Sequence, residues 1–112
     1  MATAAIDPAV FAELQATAGA DFVGELVDTF LEEAPPMLVE LSEALAAGRA
    51  EPFRRAAHSL KSNASTFGAS TLATMARDLE LQGLAAATPA ALAALKAQYD
   101  AAAAELKALR DA

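Results

Sequence analysis

Helix-capping residues, prolines and glycines punctuate this chain of 112 residues at intervals that suit a set of packed helices. Asp7-Pro8 and Thr88-Pro89 each place a good N-cap before a proline at the first helical position. Gly19 and Gly48 follow apolar-periodic segments, in the position that commonly ends a helix. Alanine and leucine dominate while β-branched and aromatic residues are few, which favours helices over a sheet. The predicted fold class is therefore all-α.

Five helical segments follow from this punctuation and from apolar residues spaced three or four apart. Their predicted limits are Asp7 to Gly19, Asp21 to Gly48, about Glu51 to Gly68, Ser70 to about Gly83, and Thr88 onwards. Four long amphipathic helices with short connections predict an antiparallel four-helix bundle, with the short first helix as an N-terminal helical lid. Residues 1–112 are predicted to form a single domain that is monomeric in isolation.

The apolar face of each long helix predicts the residues of the core. Those in the last helix form a heptad seam. The predicted core residues are Val23, Val27, Phe30, Ala34, Met37 and Leu41 in the second helix, Phe53, Ala57, Leu60, Ala64 and Phe67 in the third, Leu72, Met75, Ala76 and Leu79 in the fourth, and Leu92, Leu95, Tyr99, Ala102, Leu106 and Leu109 in the last.

Pro35-Pro36 lies within the second helix, where prolines remove amide donors and crowd the preceding turn. A kink and a break are both compatible with this pair. The apolar phase nevertheless continues without a slip from Phe30 through Ala34 to Met37. We therefore predict one kinked helix rather than two helices joined by a loop.

The charge and composition of the chain argue against several classes of function. Fifteen acidic and eight basic residues give a net charge of −7, and such a surface repels nucleic-acid phosphates. The chain has no cysteine, so it can form no disulfide, thiolate metal site or thiol nucleophile. No apolar run approaches the roughly 20 residues that span a membrane, and Met1–Asp7 lacks the basic region of a secretory signal. We predict a cytoplasmic protein without a membrane partner.

The basic residues are distributed unevenly along the chain. Nine carboxylates and no lysine or arginine precede Arg49, whereas half of the basic residues lie between Arg49 and Lys61. The same short segment contains His58, which is the only histidine. His58 lies roughly 160° around the helix from the core residue Leu60, so its ring points away from the deepest part of the core. Because charge clusters are usually solvated helix faces, the cluster alone does not indicate a function.

Four small or basic side chains share the helical stripe of His58. Arg54 and Ser62 lie about 40° to either side of it, while Lys61 is about 60° away and Ser65 about 20° away. This open, positive patch suits a phosphoryl acceptor, since a neutral imidazole is a good nucleophile near physiological pH. The ammonium of Lys61 can stabilise the oxygens of a phosphoryl group. Ser62 and Ser65 are small enough for a partner protein to approach the ring.

The run from Ala57 to Ala69, AHSLKSNASTFGA, resembles the signature of histidine-containing phosphotransfer (HPt) domains. That signature has a histidine, two residues, a lysine, a small residue and then a glycine near the helix end. The order and length of the helices are also similar, including the proline in the second helix and the Leu79-Glu80 pair in the fourth. One departure is Ser62, where many members have glycine. A hydroxyl there can affect partner choice or phosphohistidine lifetime.

The resemblance implies a phosphohistidine at His58, attached through the outer ring nitrogen Nε2, and a phosphate-supporting role for Lys61. It implies receiver domains of response regulators or hybrid histidine kinases as donors and acceptors. No cofactor or metal is expected on this chain, and Mg²⁺ is expected on the receiver. Since the sequence has no Gly-rich nucleotide loop, we predict a phosphocarrier without ATP-dependent kinase activity of its own.

Simpler interpretations stay open for individual residues. Arg54 and Arg55 are candidate docking contacts, but they suit solubilising charges equally well. His58 is also compatible with a surface histidine that has no task, and Lys61 with a solvated lysine.

Other functions compete with phosphotransfer for the chain as a whole. A helical adaptor could keep the bundle and bind partners without carrying a phosphoryl group. A haem-binding bundle would use His58 and a methionine as axial ligands, but such ligands project into the bundle interior. One histidine without cysteine offers no usual set of metal ligands. Nothing in the sequence specifically indicates paired-carboxylate hydrolysis or a Ser-His-Asp triad.

Overall fold

Five α-helices and one 3₁₀ turn make up most of the computed structural model, which describes residues 5–112. Residues 1–4, part of the segment considered above as a possible signal, lie outside the described residues. The elements are α1 (Pro8–Ala18), α2 (Ala20–Ala47), α3 (Ala50–Thr66), α4 (Ser70–Gln82), the 3₁₀ turn Gly83–Ala85 and α5 (Pro89–Asp111). Within this part of the chain there is no β-strand, as the all-α prediction requires.

The capping residues of α1 and α5 lie where the sequence predicts them. Asp7 accepts a hydrogen bond from the Ala9 amide at 2.9 Å, and Thr88 accepts one from the Ala91 amide at 3.0 Å. Each of these bonds satisfies an amide that has no partner inside the helix.

The predicted start of α2 at Asp21, a residue type that often caps helices, is wrong, because α2 begins at Ala20 and its N-cap is Gly19. The Gly19 amide donates to Gln15 and closes α1, while the Gly19 carbonyl already accepts from the Val23 amide at 3.0 Å. One glycine therefore joins the two helices. Asp21 lies in the first turn of α2, where its negative charge is still favourable to the helix dipole.

Pro35 and Pro36 lie inside α2 without dividing it, because the helix continues from Ala20 to Ala47. Both prolines face solvent, whereas Ala34 and Leu41 on the opposite face are fully buried. Core packing on one side of the helix thus holds it together where two amide donors are missing.

Helices α2 to α5 form a closed bundle in which α2 packs on α3, α3 on α4, α4 on α5 and α5 on α2. The predicted core residues are buried except Met37, Met75, Leu92 and Leu109, which are partly buried and pack against the core. Phe30 on α2 joins two other elements, since its ring lies 5.4 Å from that of Phe67 and 5.7 Å from that of Tyr99. Aromatic pairs at these separations stabilise the packing of neighbouring helices.

The N-terminal lid is attached to the bundle through both side chains and backbone. Ile6 and Phe11 are buried in the core. The amides of Ala5 and Ile6 donate to the carboxylate of Glu105 on α5, at 2.6 and 3.1 Å. These contacts tie the start of the described chain to the last helix.

Gly68 fixes the other end of this attachment, at the turn between α3 and α4. Its carbonyl accepts from the Asp7 amide at 2.9 Å. Its φ is +76°, and a Cβ at this position would lie 2.8 Å from Cβ of Val10. The sequence predicts Gly68 only as a helix end. In the structure, the absence of a side chain at Gly68 also leaves space for Val10 of the lid.

Within residues 5–112 no helix is both long enough and apolar enough to cross a membrane.

Candidate functional site

His58 occupies the middle of α3 on the face that the sequence predicts to be open. Its neighbours Ala57 and Leu60 are fully buried against the bundle and fix the rotation of the helix. The His58 side chain is 54% exposed. The imidazole is therefore anchored by a rigid helix and remains accessible to another protein.

Glu80 on α4 holds one edge of this ring. Its Oε2 lies 2.7 Å from Nδ1 of His58. The Glu80 side chain is only 13% exposed, because it follows the buried Leu79 on the side of α4 that packs against α3. A hydrogen bond from Nδ1 to this partly buried carboxylate restrains the orientation of the ring.

Lys61 reaches the same carboxylate from one turn further along α3. Its Nζ lies 2.9 Å from Oε1 of Glu80, and the lysine side chain is 27% exposed. This contact has the distance of an ion pair, but Oε1 has no donor with hydrogen-bond geometry. Lys61 and Glu80 thus form an ion pair at the edge of the bundle.

The environment keeps Glu80 ionised at neutral pH. The ammonium of Lys61 is the largest influence and lowers the pKa of the Glu80 carboxyl below its ordinary value. Partial burial acts in the opposite direction, and the hydrogen bond and charge of His58 lower the pKa further. Lys61 and His58 together outweigh the desolvation of the carboxylate.

An ionised Glu80 determines which nitrogen of His58 carries the proton in the neutral ring. A carboxylate can only accept hydrogen bonds, so Nδ1 must be the donor across the 2.7 Å contact. The lone pair is then left on Nε2. Among the described residues, no hydrogen-bond partner contacts Nε2. In a ring that is 54% exposed, a nitrogen with a free lone pair can act as a nucleophile.

The structure brings His58 and Lys61 together through Glu80, but it places the other candidate residues differently. Arg54 pairs with Glu51, with Nη2 and Oε1 2.5 Å apart, and both side chains are half-exposed. This pairing turns Arg54 toward the start of α3. Arg55 is exposed, and no carboxylate of the described chain lies within ion-pair distance of it.

The two predicted serines, Ser62 and Ser65, are exposed on the outer side of α3. Ser65 borders a depression that Lys61 also lines. Neither side chain places bulk over the ring, which agrees with the expected open approach.

Glu80 is the site residue that sequence reasoning did not place among the candidates. In the sequence, only the family resemblance draws attention to the Leu79-Glu80 pair. The sequence signal for Glu80 is its position directly after Leu79, a predicted core residue of the helix that follows α3. To predict that Glu80 contacts His58, one must also know how α4 is aligned against α3. That alignment depends on the turn at Gly68 and not on helical periodicity.

Comparisons with known proteins agree with this geometry. Residues 25–105 match the family model described as the Hpt domain. The structure is similar to the crystal structure of histidine-containing phosphotransfer protein B (HptB) from Pseudomonas aeruginosa PAO1, with a TM-score of 0.88 and 30% sequence identity over 98% of this chain and 97% of that chain. No curated protein sequence gives a significant match.

Proposed function

The chain belongs to the Hpt domain family, whose members are phosphocarriers in two-component phosphorelays, and from this premise we propose that His58 is the residue that carries the phosphoryl group. The observation that carries the proposal is the state of the ring, with Nδ1 bound to Glu80 at 2.7 Å and Nε2 facing solvent. The chain contains no other histidine. A phosphohistidine in this protein can therefore form only at this position.

The transfer is a reversible, in-line displacement at phosphorus. Nε2 of His58 attacks the aspartyl phosphate of a receiver domain, an N–P bond forms, and the P–O bond to the aspartate breaks. The aspartate leaves as a carboxylate with the bonding electron pair. Because the ring proton is already on Nδ1, Nε2 attacks without first losing a proton. Glu80 then stabilises the positive charge that the ring gains.

Lys61 supports the phosphoryl group once it is in place. Its ammonium lies on the same helical ridge as the ring and forms an ion pair with Glu80 at 2.9 Å. When anionic phosphoryl oxygens arrive nearby, the ammonium can bind them and Glu80 at once, or exchange one for the other. This role depends on position and charge, which are the main contributions of a protein to phosphoryl transfer.

The partners in this proposal are receiver domains of response regulators or hybrid histidine kinases. Mg²⁺ belongs to the receiver, where it neutralises the transferring phosphate, and this chain contributes no cofactor. The protein acts as a monomer in the cytoplasm and does not use ATP itself. The support for this last point is the lack of a Gly-rich nucleotide loop in the sequence.

The test is transfer of radioactive phosphate from a panel of phosphorylated receiver domains to the wild-type protein and to His58→Gln. Label is expected on the wild type alone, stable to base and labile to acid, and mapped to the peptide that contains His58. A second donor, phosphoramidate, removes the need for docking, since its P–N bond breaks and ammonia leaves. If neither donor labels the wild type, the chain is an adaptor that has lost phosphotransfer.

A further inference from the structure

A shallow depression lies beside the site, between α3, α4 and the lid. It has a volume of about 320 Å³ and contains two cationic side chains, Lys61 from α3 and Arg77 from α4. No carboxylate lines it; the remaining lining residues are Val10, Ser65, Gly68, Ser70, Ala73 and Thr74. The depression is therefore lined by positive charge, although the chain as a whole has a net charge of −7.

Arg77 has no internal partner that explains its position. In the described chain no carboxylate lies within ion-pair distance of Arg77, whereas Arg54 and Arg110 both pair with acidic residues. Lys61 is only partly neutralised, because Glu80 shares its carboxylate with His58. The depression therefore has unbalanced positive charge and exposed serine and threonine hydroxyls as additional donors.

Helical geometry places this depression next to the reacting ring and continues it across α4. Arg77 lies about 60° around α4 from Glu80, and Leu81 lies about 40° beyond Arg77. Leu81 is 72% exposed, which makes it the most exposed large apolar side chain of the described residues. From the His58–Glu80 contact outward, α4 thus presents a cation and then an apolar side chain.

We infer that Arg77 and Leu81 are docking contacts for the receiver domain, with a receiver carboxylate entering the Lys61–Arg77 depression and an apolar receiver side chain covering Leu81. This inference rests on the proposed function. Charge complementarity favours this occupant, because a receiver must surround its Mg²⁺ and phosphorylated aspartate with carboxylates. Such a partner is negative at the point that meets His58. The cations of the depression attract it and set its orientation.

Arg77 contributes to docking and not to the chemical step. Arg77 is one helical turn from Glu80 and does not contact the ring, so it acts on the partner rather than on the reacting atoms. Electrostatic contacts at the rim of an interface change mainly the association rate and its dependence on salt. Arg77 is therefore expected to set how efficiently a receiver is captured, and Leu81 to limit how far it can rotate.

The experiment compares two phosphoryl donors with wild type, Arg77→Glu, Arg77→Lys and the matched control Lys107→Glu. Lys107 is exposed on α5, with no carboxylate of the described chain at ion-pair distance. The donors are the receiver that labels wild type fastest, and phosphoramidate.

For the receiver, Arg77→Glu is expected to lower kcat/KM on the order of tenfold and to weaken the salt dependence of kcat/KM. Arg77→Lys and Lys107→Glu are expected to stay near wild type. Phosphoramidate is expected to label all four proteins equally. Leu81→Ser should give a smaller loss with the receiver alone.

Each other result has a distinct meaning. Equal losses with both donors would assign Arg77 to the phosphoryl group itself and overturn the docking role. Receiver transfer to Arg77→Glu at the wild-type rate, or an equal loss in Lys107→Glu, would overturn it as well. If neither phosphoramidate nor any receiver labels even the wild type, the proposed function is wrong, and the docking inference falls with it. Circular dichroism of each variant checks that the helices are intact.

Discussion

Oε2 of Glu80 lies 2.7 Å from Nδ1 of His58, so a residue of α4 that is 22 positions away holds the ring on α3. The orientation of the imidazole is consequently a property of two packed helices and not of α3 alone. Any change that alters the packing of α3 on α4 is expected to alter the reactivity of Nε2.

The first prediction concerns Glu80 as a positioning residue. Replacement of Glu80 by Ala is expected to slow phosphorylation of His58 by phosphoramidate on the order of tenfold, because the ring loses its restraint and its preferred tautomer. Glu80→Gln should lose less, since an amide oxygen still accepts from Nδ1. The matched control is Glu51→Ala, because Glu51 pairs only with the exposed Arg54. Equal rates for Glu80→Ala and the control would remove Glu80 from the mechanism.

The second prediction concerns stability against pH. The pKa of Glu80 is lowered in the folded protein, first by Lys61 and then by His58, so the ionised form stabilises the fold. This contribution is complete above the ordinary glutamate value of 4.5 and is lost as the pH falls through the lower folded-state pKa. Urea unfolding between neutral and acidic pH should show a smaller loss of stability in Glu80→Gln than in wild type. Parallel curves for the two proteins would contradict the shift.

The third prediction concerns Lys61. Replacement by Ala is expected to slow transfer from a receiver or shorten the lifetime of the phosphohistidine by several-fold, because the phosphoryl oxygens lose a cation. The bundle should remain folded, since Lys61 is partly exposed and outside the core. Lys96→Ala is the control, as Lys96 pairs with Asp100 on α5 at 2.9 Å. Unchanged transfer and lifetime in Lys61→Ala would show that the lysine has no part in the reaction.

The fourth prediction concerns the open approach to the ring. Ser62→Arg places a long side chain about 40° around α3 from His58 and is expected to block transfer from receivers. Labelling by phosphoramidate should continue, because a small donor needs less space. Ser42→Arg, at an exposed position of α2 on the side that faces α5, should leave both reactions unchanged. Receiver transfer at the normal rate in Ser62→Arg would mean that the partner docks on another face.

The fifth prediction uses two glycines to separate backbone strain from steric contact. Gly48 and Gly68 have φ of +68° and +76°, but a Cβ meets nothing within 4 Å at Gly48 and lies 2.8 Å from Val10 at Gly68. Gly48→Ala is expected to cost about 1 kcal/mol from strain. Gly68→Ala should cost about 1–3 kcal/mol more, because the lid must move. Urea unfolding measures both, and equal costs would contradict the contact between Gly68 and the lid.

The helices and the core could be predicted because their causes are local. Caps at Asp7 and Thr88 and the three-four apolar spacing act within a few residues, and the structure follows them. The predicted start of α2 is wrong because Gly19 is both the C-cap of α1 and the N-cap of α2. The residue preferences of helix caps do not predict such a shared residue. The 3₁₀ turn Gly83–Ala85 also has no strong signal in the sequence.

The site was only half predictable for a related reason. Lys61 shares a helix with His58, so the helical repeat places them together. Glu80 and Arg77 reach the same region from α4, and their position depends on the turn through which α3 leads into α4. That turn is shaped by a contact between the Gly68 backbone and the lid. Backbone contacts of this kind leave almost no pattern in side-chain composition.

The attachment of the lid means that the recognisable family segment and the cooperative folding unit have different limits. The matched segment begins at residue 25, yet Ile6 and Phe11 are buried beyond it, and each contributes about 1.5–3 kcal/mol by burial. A protein trimmed to the match would expose an apolar surface and leave the carboxylate of Glu105 without its two amides. The unit that folds cooperatively therefore includes Ile6 and Phe11, which lie before the matched segment.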